Sequence, residues 1–161
     1  MDRTGYTILG IDPGSIKTGF GLVNAVGRSF FHIENGLIMP PKGLDFKDRI
    51  GFIFRGVCDV MDEFKPDAVA LEDVFIAKNA QSALKLGHVR GAVMSAAAIR
   101  GLPLFEYTPT RVKQSVTGNG RAEKVQVQRM IQILLKLKEV PYEDAADALA
   151  IAITHAFTVY K

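Results

Sequence analysis

Apolar residues along the chain fall into two rhythms, and the places where one gives way to the other mark the elements. Residues 6–12 read as a strand, and 18–26 with 29–39 as two more, joined around Gly27-Arg28 in an antiparallel meander. Phe46, Ile50, Ile53, Phe54, Val57, Met61 and Phe64 instead recur at helical spacing until Pro66 stops them, and 67–72 is again a strand. A helix followed by a strand implies a crossover connection and a parallel neighbour. Residues 79–100 predict a second helix and 103–108 a short strand, after which Thr108-Pro109 starts a helix with proline at its first position. Gly118-Asn119-Gly120 is a turn. Val125, Val127, Met130, Ile131, Leu134 and Leu135 then mark another helix, and Pro141 introduces the last, which ends near Tyr160. No repeat or linker interrupts this order, so the fold class is α/β: one domain over 1–161, with helices flanking a mixed five-stranded sheet.

Composition narrows the class without naming a function. A chain of 161 residues with 48% apolar content can bury a real core, which excludes disorder. Its formal charge of +3 is a mild excess. Cys58, the single cysteine, falls within a helical pattern, so it reads as a core thiol in a reducing compartment. Neither a signal peptide nor the ~20-residue apolar run of a membrane span is evident, and the chain reads as soluble, cytoplasmic and free of membrane partners.

Four acids change the picture. Asp12 closes the run Tyr6 to Ile11, Glu72 closes Ala68-Val69-Ala70-Leu71, and Asp144 with Asp147 opens the last apolar helix. On a strand, Gly10 and Asp12 share a face, and the missing side chain at Gly10 is expected to leave room beside the carboxylate. Glu72 shares its face with Ala68 and Ala70, whereas Asp73 points the other way. Asp144 and Asp147 are i and i+3 on a helix, near enough to share a cation. Each acid alone has an ordinary reading: a turn residue, an exposed strand end, or favourable charge at a helix N-terminus. Together they form an oxygen-ligand set suited to magnesium, and setting them aside leaves a remainder basic enough for a polyanion.

Gly10-Ile11-Asp12-Pro13-Gly14-Ser15 with Thr18-Gly19, Leu71-Glu72-Asp73-Val74-Phe75, and the run from Asp144-Ala145-Ala146-Asp147 to His155 resemble the RuvC Holliday-junction resolvases. Similar runs from Ala77 to Gly91 and from Phe105 to Gly118 extend the likeness over almost the whole chain. The resemblance implies an RNase H-like (retroviral integrase-like) fold and a homodimer. Its substrate would be four-way junction DNA, cut by symmetric paired nicks that leave 5'-phosphate and 3'-hydroxyl ends, with RuvA and RuvB as branch-migration partners. By position, Asp12, Glu72, Asp144 and Asp147 become catalytic acids holding two Mg²⁺ ions per subunit, for which Mn²⁺ substitutes. Two cations about 4 Å apart activate the attacking water and hold the leaving oxygen. Two departures stand out: Asp73 occupies a position often uncharged in the family, with a consequence for metal affinity, and the chain stops at Lys161 where many members continue with a short basic tail, which implies weaker DNA binding.

Lys113 and Lys124 flank the Gly118-Asn119-Gly120 loop and match basic family positions near the scissile phosphate, so they are read as catalytic phosphate contacts rather than ordinary solvated lysines. Phe75, beside Lys78 and Asn79 in a DNA-binding segment, resembles an aromatic that probes the junction and stacks on a base, where the plain alternative is a core aromatic. His32, His88 and His155 lack zinc-site spacing and read as structural. Ala83, Gly87, Gly91 and Ser95 recur every four residues as a stripe that packs either on the chain's own sheet or against a second copy at a dimer interface. Competing classes are another RNase H-like nuclease acting on RNA or hybrids, an actin-like ATPase suggested by Asp12-Pro13-Gly14 and Thr18-Gly19, and a non-catalytic junction-binding module. The second needs two such domains, and the presence of all four acids opposes the third.

Overall fold

A computed structural model describes residues 4–73 and 79–160. Three strands open the chain, β1 (Tyr6–Asp12), β2 (Thr18–Val26) and β3 (Ser29–Ile38). Helix α1 (Phe46–Phe64) leads into β4 (Ala68–Glu72), and α2 (Ala80–Ile99) into β5 (Leu104–Tyr107). Three helices follow, α3 (Pro109–Thr117), α4 (Lys124–Leu134) and α5 (Glu143–Val159). The sheet runs in the order β3-β2-β1-β4-β5, with β1, β2 and β3 antiparallel in turn and β1, β4 and β5 parallel. The expected meander, crossovers and mixed five-stranded sheet are all present.

Period-two alternation sends the two faces of this sheet into separate cores. Leu9, Ile11, Leu22, Val69 and Leu71 pack beneath α1 and α2 with Ile53, Val57, Val89 and Val93. Ile8, Val23 and Ala70 face α3, α4 and α5, where they meet Val112, Val127, Ile131, Leu149 and Ile153. Because α5 is covered by the sheet on one side and by α3 and α4 on the other, its residues from Ala148 to Ala156 are all buried.

The seat of α5 is made of glycine. Gly10 and Gly21 lie opposite each other in the β1–β2 register, and Gly19 pairs with Asp12. A Cβ at Gly10 would stand within 3.0 Å of the Ala148 carbonyl and 2.8 Å from the Ala152 nitrogen, one at Gly19 would meet the Asp144 carbonyl, and one at Gly21 would lie 2.8 Å from the Leu149 nitrogen. The helix backbone therefore rests directly on the sheet. This corrects the expectation for Gly10: the space left by its side chain is filled by α5, not kept open beside Asp12.

Candidate active site

Asp12 and Glu72 terminate neighbouring parallel strands. The β1–β4 register runs Gly10 to Ala70 and Ile11 to Leu71, so the two acids come next, side by side on the face that carries α5. Just beyond Asp12, the Thr18 hydroxyl donates to the Gly14 carbonyl at 2.9 Å and its oxygen accepts the Gly14 amide at 3.3 Å, closing the turn from Asp12 back into β2. Gly19 in the same segment lets the first turn of α5 come down onto the sheet, and that end of the helix carries Asp144 and, one turn on, Asp147. The glycines and threonine around Asp12 thus serve geometry, and through it they place two helix acids over two strand-end acids.

All four carboxylates line one cavity of about 300 Å³, together with Lys113, Lys124, Pro109, Val112 and Val127. Thr108 caps α3 by accepting the Arg111 amide at 3.3 Å, and Gln114 braces the following loop by donating to the Gly118 carbonyl at 2.9 Å and accepting the Gly120 amide at 3.0 Å. Gln126 accepts the Glu123 amide at 2.9 Å at the start of α4. These bonds hold Lys113 and Lys124 on either side of a fixed loop, both turned to the acids.

The cavity concentrates negative charge in a poorly solvated place. Burial, reinforced by Glu72, Asp147 and Asp144, pushes the Asp12 carboxyl up to about 8. Burial likewise pushes Asp147 up to about 6 against the opposing pull of Lys124, and it raises Glu72, with Asp147 adding to the effect. The acids disfavour one another's ionisation, and a bound cation would reverse that balance. Hard carboxylate oxygens are the ligands magnesium and manganese take, so the donor set fits a divalent cation. Among the described residues no three His, Cys, Asp or Glu side chains close on a single point; the acids line the cavity walls.

Two partners in this site gave no signal in sequence. Lys17 puts its ammonium 2.7 Å from an Asp144 oxygen, and Lys124 pairs with Glu143 while lying 3.9 Å from Asp147. Lys17 sits in a loop with no periodicity, and Glu143 reads as one more acid in a helix's first turn, so neither pairing is visible before the chain folds. Asn79 caps α2 by accepting the Ser82 amide at 2.8 Å, while Phe75 and Lys78 lie outside the described residues. His32, His88 and His155 are engaged away from the acids, with Asn35, the Leu84 carbonyl and the Tyr107 hydroxyl respectively.

Carboxylates at two adjacent parallel strand ends and on the helix over them share one cavity with two lysines, and the sequence that builds it matches a known nuclease family. The sequence model of the family described as "Crossover junction endodeoxyribonuclease RuvC" matches residues 8–155. The chain belongs to the RuvC family. A RuvC from Citrifermentans bemidjiense is 56% identical over 149 residues, 92% of this chain and 91% of the relative. One from Geotalea uraniireducens is 52% identical, over 92% of this chain and 87% of its own. Among solved structures, Thermus thermophilus RuvC in complex with a Holliday junction superposes with a TM-score of 0.91 at 37% identity, covering 96% of this chain and 95% of that one. The actin-like alternative is set aside by this membership, and the sheet with its flanking helices is the RNase H-like fold of RuvC.

The stripe on α2 also has a defined place. Val89, Val93, Ala96 and Ala97 face the core, whereas Ala83, Gly87 and Ser95 are exposed and Gly91 is half-buried. Among the described residues, a Cβ at Gly87 or Gly91 would meet nothing within 4 Å, and Ala83, Leu84, Gly87, His88 and Gly91 line an open apolar surface. Packing of the stripe against the chain's own sheet is therefore excluded.

Proposed function

We propose that this chain is a Holliday-junction resolvase, which hydrolyses phosphodiesters in two symmetric strands of a four-way DNA junction and leaves 5'-phosphate and 3'-hydroxyl ends. The observation that carries the reading is the convergence of Asp12, Glu72, Asp144 and Asp147 with Lys113 and Lys124 in one cavity. The four acids hold divalent cations, two Mg²⁺ per subunit with Mn²⁺ able to substitute. Such ions supply Lewis acidity for the attacking water and the departing oxygen. Asp12, which feels the charges of Glu72, Asp147 and Asp144 together, would be a ligand central to that set.

The chain's own groups divide the remaining work. Lys113 and Lys124 neutralise the phosphate and hold it against the acids, since a compact ammonium suits a phosphate oxygen as a point charge. Lys124, on the first turn of α4, pairs with Glu143 and lies 3.9 Å from Asp147, and it would turn from these acids to the phosphate when DNA binds. Val112, Val127 and Pro109 form an apolar wall that limits water around the reacting groups. Phe75, Lys78 and Asn79 are assigned to the junction's crossover, with Phe75 stacking on a base.

Symmetric incision needs two sites, and a two-fold dimer supplies them. The exposed stripe of α2 is the proposed interface, because its bare backbone at Gly87 and Gly91 admits a close neighbour. RuvA and RuvB are the proposed branch-migration partners, residues 1–161 are proposed to work as one nuclease domain, and the proposed location is the cytoplasm, where the chromosome lies. No helix among the described residues is long and apolar enough to cross a membrane. Incubation with labelled four-way junction, linear duplex and RNA–DNA hybrid in Mg²⁺ tests the reading. Paired nicks on the junction are expected, while preferential cutting of the hybrid would assign the chain to another RNase H-like activity.

A further inference from the structure

Arg90 lies on α2, on the side of the sheet away from the acidic cavity, yet it bonds the backbone of the residue that carries one of the four acids. Its guanidinium donates to the backbone carbonyl of Glu72 and to the carboxylate of Glu106 on β5, and it lies 3.7 Å from an Asp73 oxygen. Only 13% of the Arg90 side chain is exposed, against 44% for Asp73 and 40% for Glu106. The Glu72 carbonyl belongs to the last residue of β4. One bond further, the Asp73 amide donates to the Tyr107 carbonyl at 2.8 Å, which is the end of the β4–β5 ladder. Arg90 therefore grips the strand at the point where the sheet stops holding it.

We infer that Arg90 is a positioning residue for the metal-binding acid Glu72, fixing the end of β4 so that its carboxylate faces Asp12 and Asp147. The forked, planar guanidinium suits this task because one nitrogen serves the carbonyl while another serves the carboxylates, and each bond orients the other. Glu106 and Asp73 neutralise a cation that would otherwise be costly to bury. Asp73 thereby acquires a role: strand alternation turns it from the cavity, and it belongs to the arginine's cage rather than to the ligand set. Partners that orient metal ligands typically contribute a 10–100-fold effect on affinity.

The inference rests on the proposed metal role of Glu72, and direct ion binding separates the two. Mn²⁺ alone is titrated into the full chain without DNA, read by the electron paramagnetic resonance of free ion, with thermal melting in parallel. Arg90→Gln is expected to weaken Mn²⁺ binding roughly tenfold while the protein remains folded, and Arg90→Lys, which keeps one donor, to recover part of the loss. Introduced into Glu72→Gln, Arg90→Gln should add little, because the group it positions is already impaired. Glu106→Gln, which loosens one anchor, should give a milder loss in the same direction and serves if Arg90→Gln does not fold. Wild-type Mn²⁺ affinity in folded Arg90→Gln or in Glu106→Gln overturns the inference, as does an equal loss in the presence and absence of Glu72→Gln. A parent protein that binds no Mn²⁺ overturns the metal role of Glu72 itself, and this inference with it.

Discussion

Gly10→Ala is the substitution that most sharply tests how the fold builds the site. The new Cβ would stand within 3.0 Å of the Ala148 carbonyl and 2.8 Å from the Ala152 nitrogen, and both are backbone atoms of a buried helix. Ordinary contact begins near 3.4 Å, so α5 must retreat by at least about half an ångström at Ala152 and by more at Ala148. Asp147 adjoins Ala148 and has to move with it. Overpacking of this kind costs about 1–3 kcal/mol, and a displacement approaching 1 Å in a reacting group costs on the order of 10²-fold in rate. We expect Gly10→Ala to melt several degrees below the parent and to cut a four-way junction about 100-fold more slowly at saturating Mg²⁺. Gly51→Ala is the control, since the nearest atom to its new Cβ is the flexible Arg55 guanidinium at 3.3 Å, and an alanine in a helix is if anything stabilising. A Gly10→Ala protein that cuts at the parent rate and melts with the parent would refute the claim that bare glycine seats α5 and sets its acids.

Other outcomes follow from the same geometry. Asp12, with its carboxyl pushed up to about 8, holds a proton more tightly in the folded chain than in the unfolded one, so its contribution to stability falls as pH rises from about 4 to 8, at about 1.4 kcal/mol per unit of difference. Without metal, Asp12→Asn should therefore gain on the parent between pH 5 and pH 8 in calorimetric scans with chelator, and a pH-independent difference would contradict this. Ca²⁺ should support junction binding in gel shifts but not incision, because its larger, more flexible shell holds water and phosphate less tightly in place; efficient nicking in Ca²⁺ would count against the carboxylate assignment. Gly87→Leu or Gly91→Leu should sediment partly as monomer at low concentration and lose paired incision more than single nicks, whereas an unaltered dimer would move the interface elsewhere on the surface.

Much of the fold was legible because its signals are local. The apolar runs that end in Asp12 and Glu72 set the central parallel pair, Pro66 and Pro141 punctuate the helices, and Thr108-Pro109 caps α3 as the sequence implies. The acids could be singled out because each stands against apolar neighbours. What escaped depends on contacts between distant segments. Gly19 and Gly21 read as weak strand residues until α5 is laid over them, and for the same reason the strand pattern alone makes Gly10 look like open space beside Asp12. Lys17 meets Asp144 across more than a hundred residues, and Arg90 on α2 meets the Glu72 backbone at the end of β4, so no spacing in the chain announces either pair.

The central claim is that the acids gathered at the ends of β1 and β4 and the start of α5 hold the ions that cleave DNA, while basic residues hold the DNA itself. The direct measurement is the single-turnover rate of Mg²⁺-dependent incision of a labelled four-way junction by Asp12→Asn, Glu72→Gln and Asp147→Asn, with junction affinity measured in Ca²⁺. Each variant should lose incision and retain binding within a few-fold of the parent. An Asp12→Asn enzyme cutting at full rate, or junction binding that collapses together with activity in all three, would contradict it.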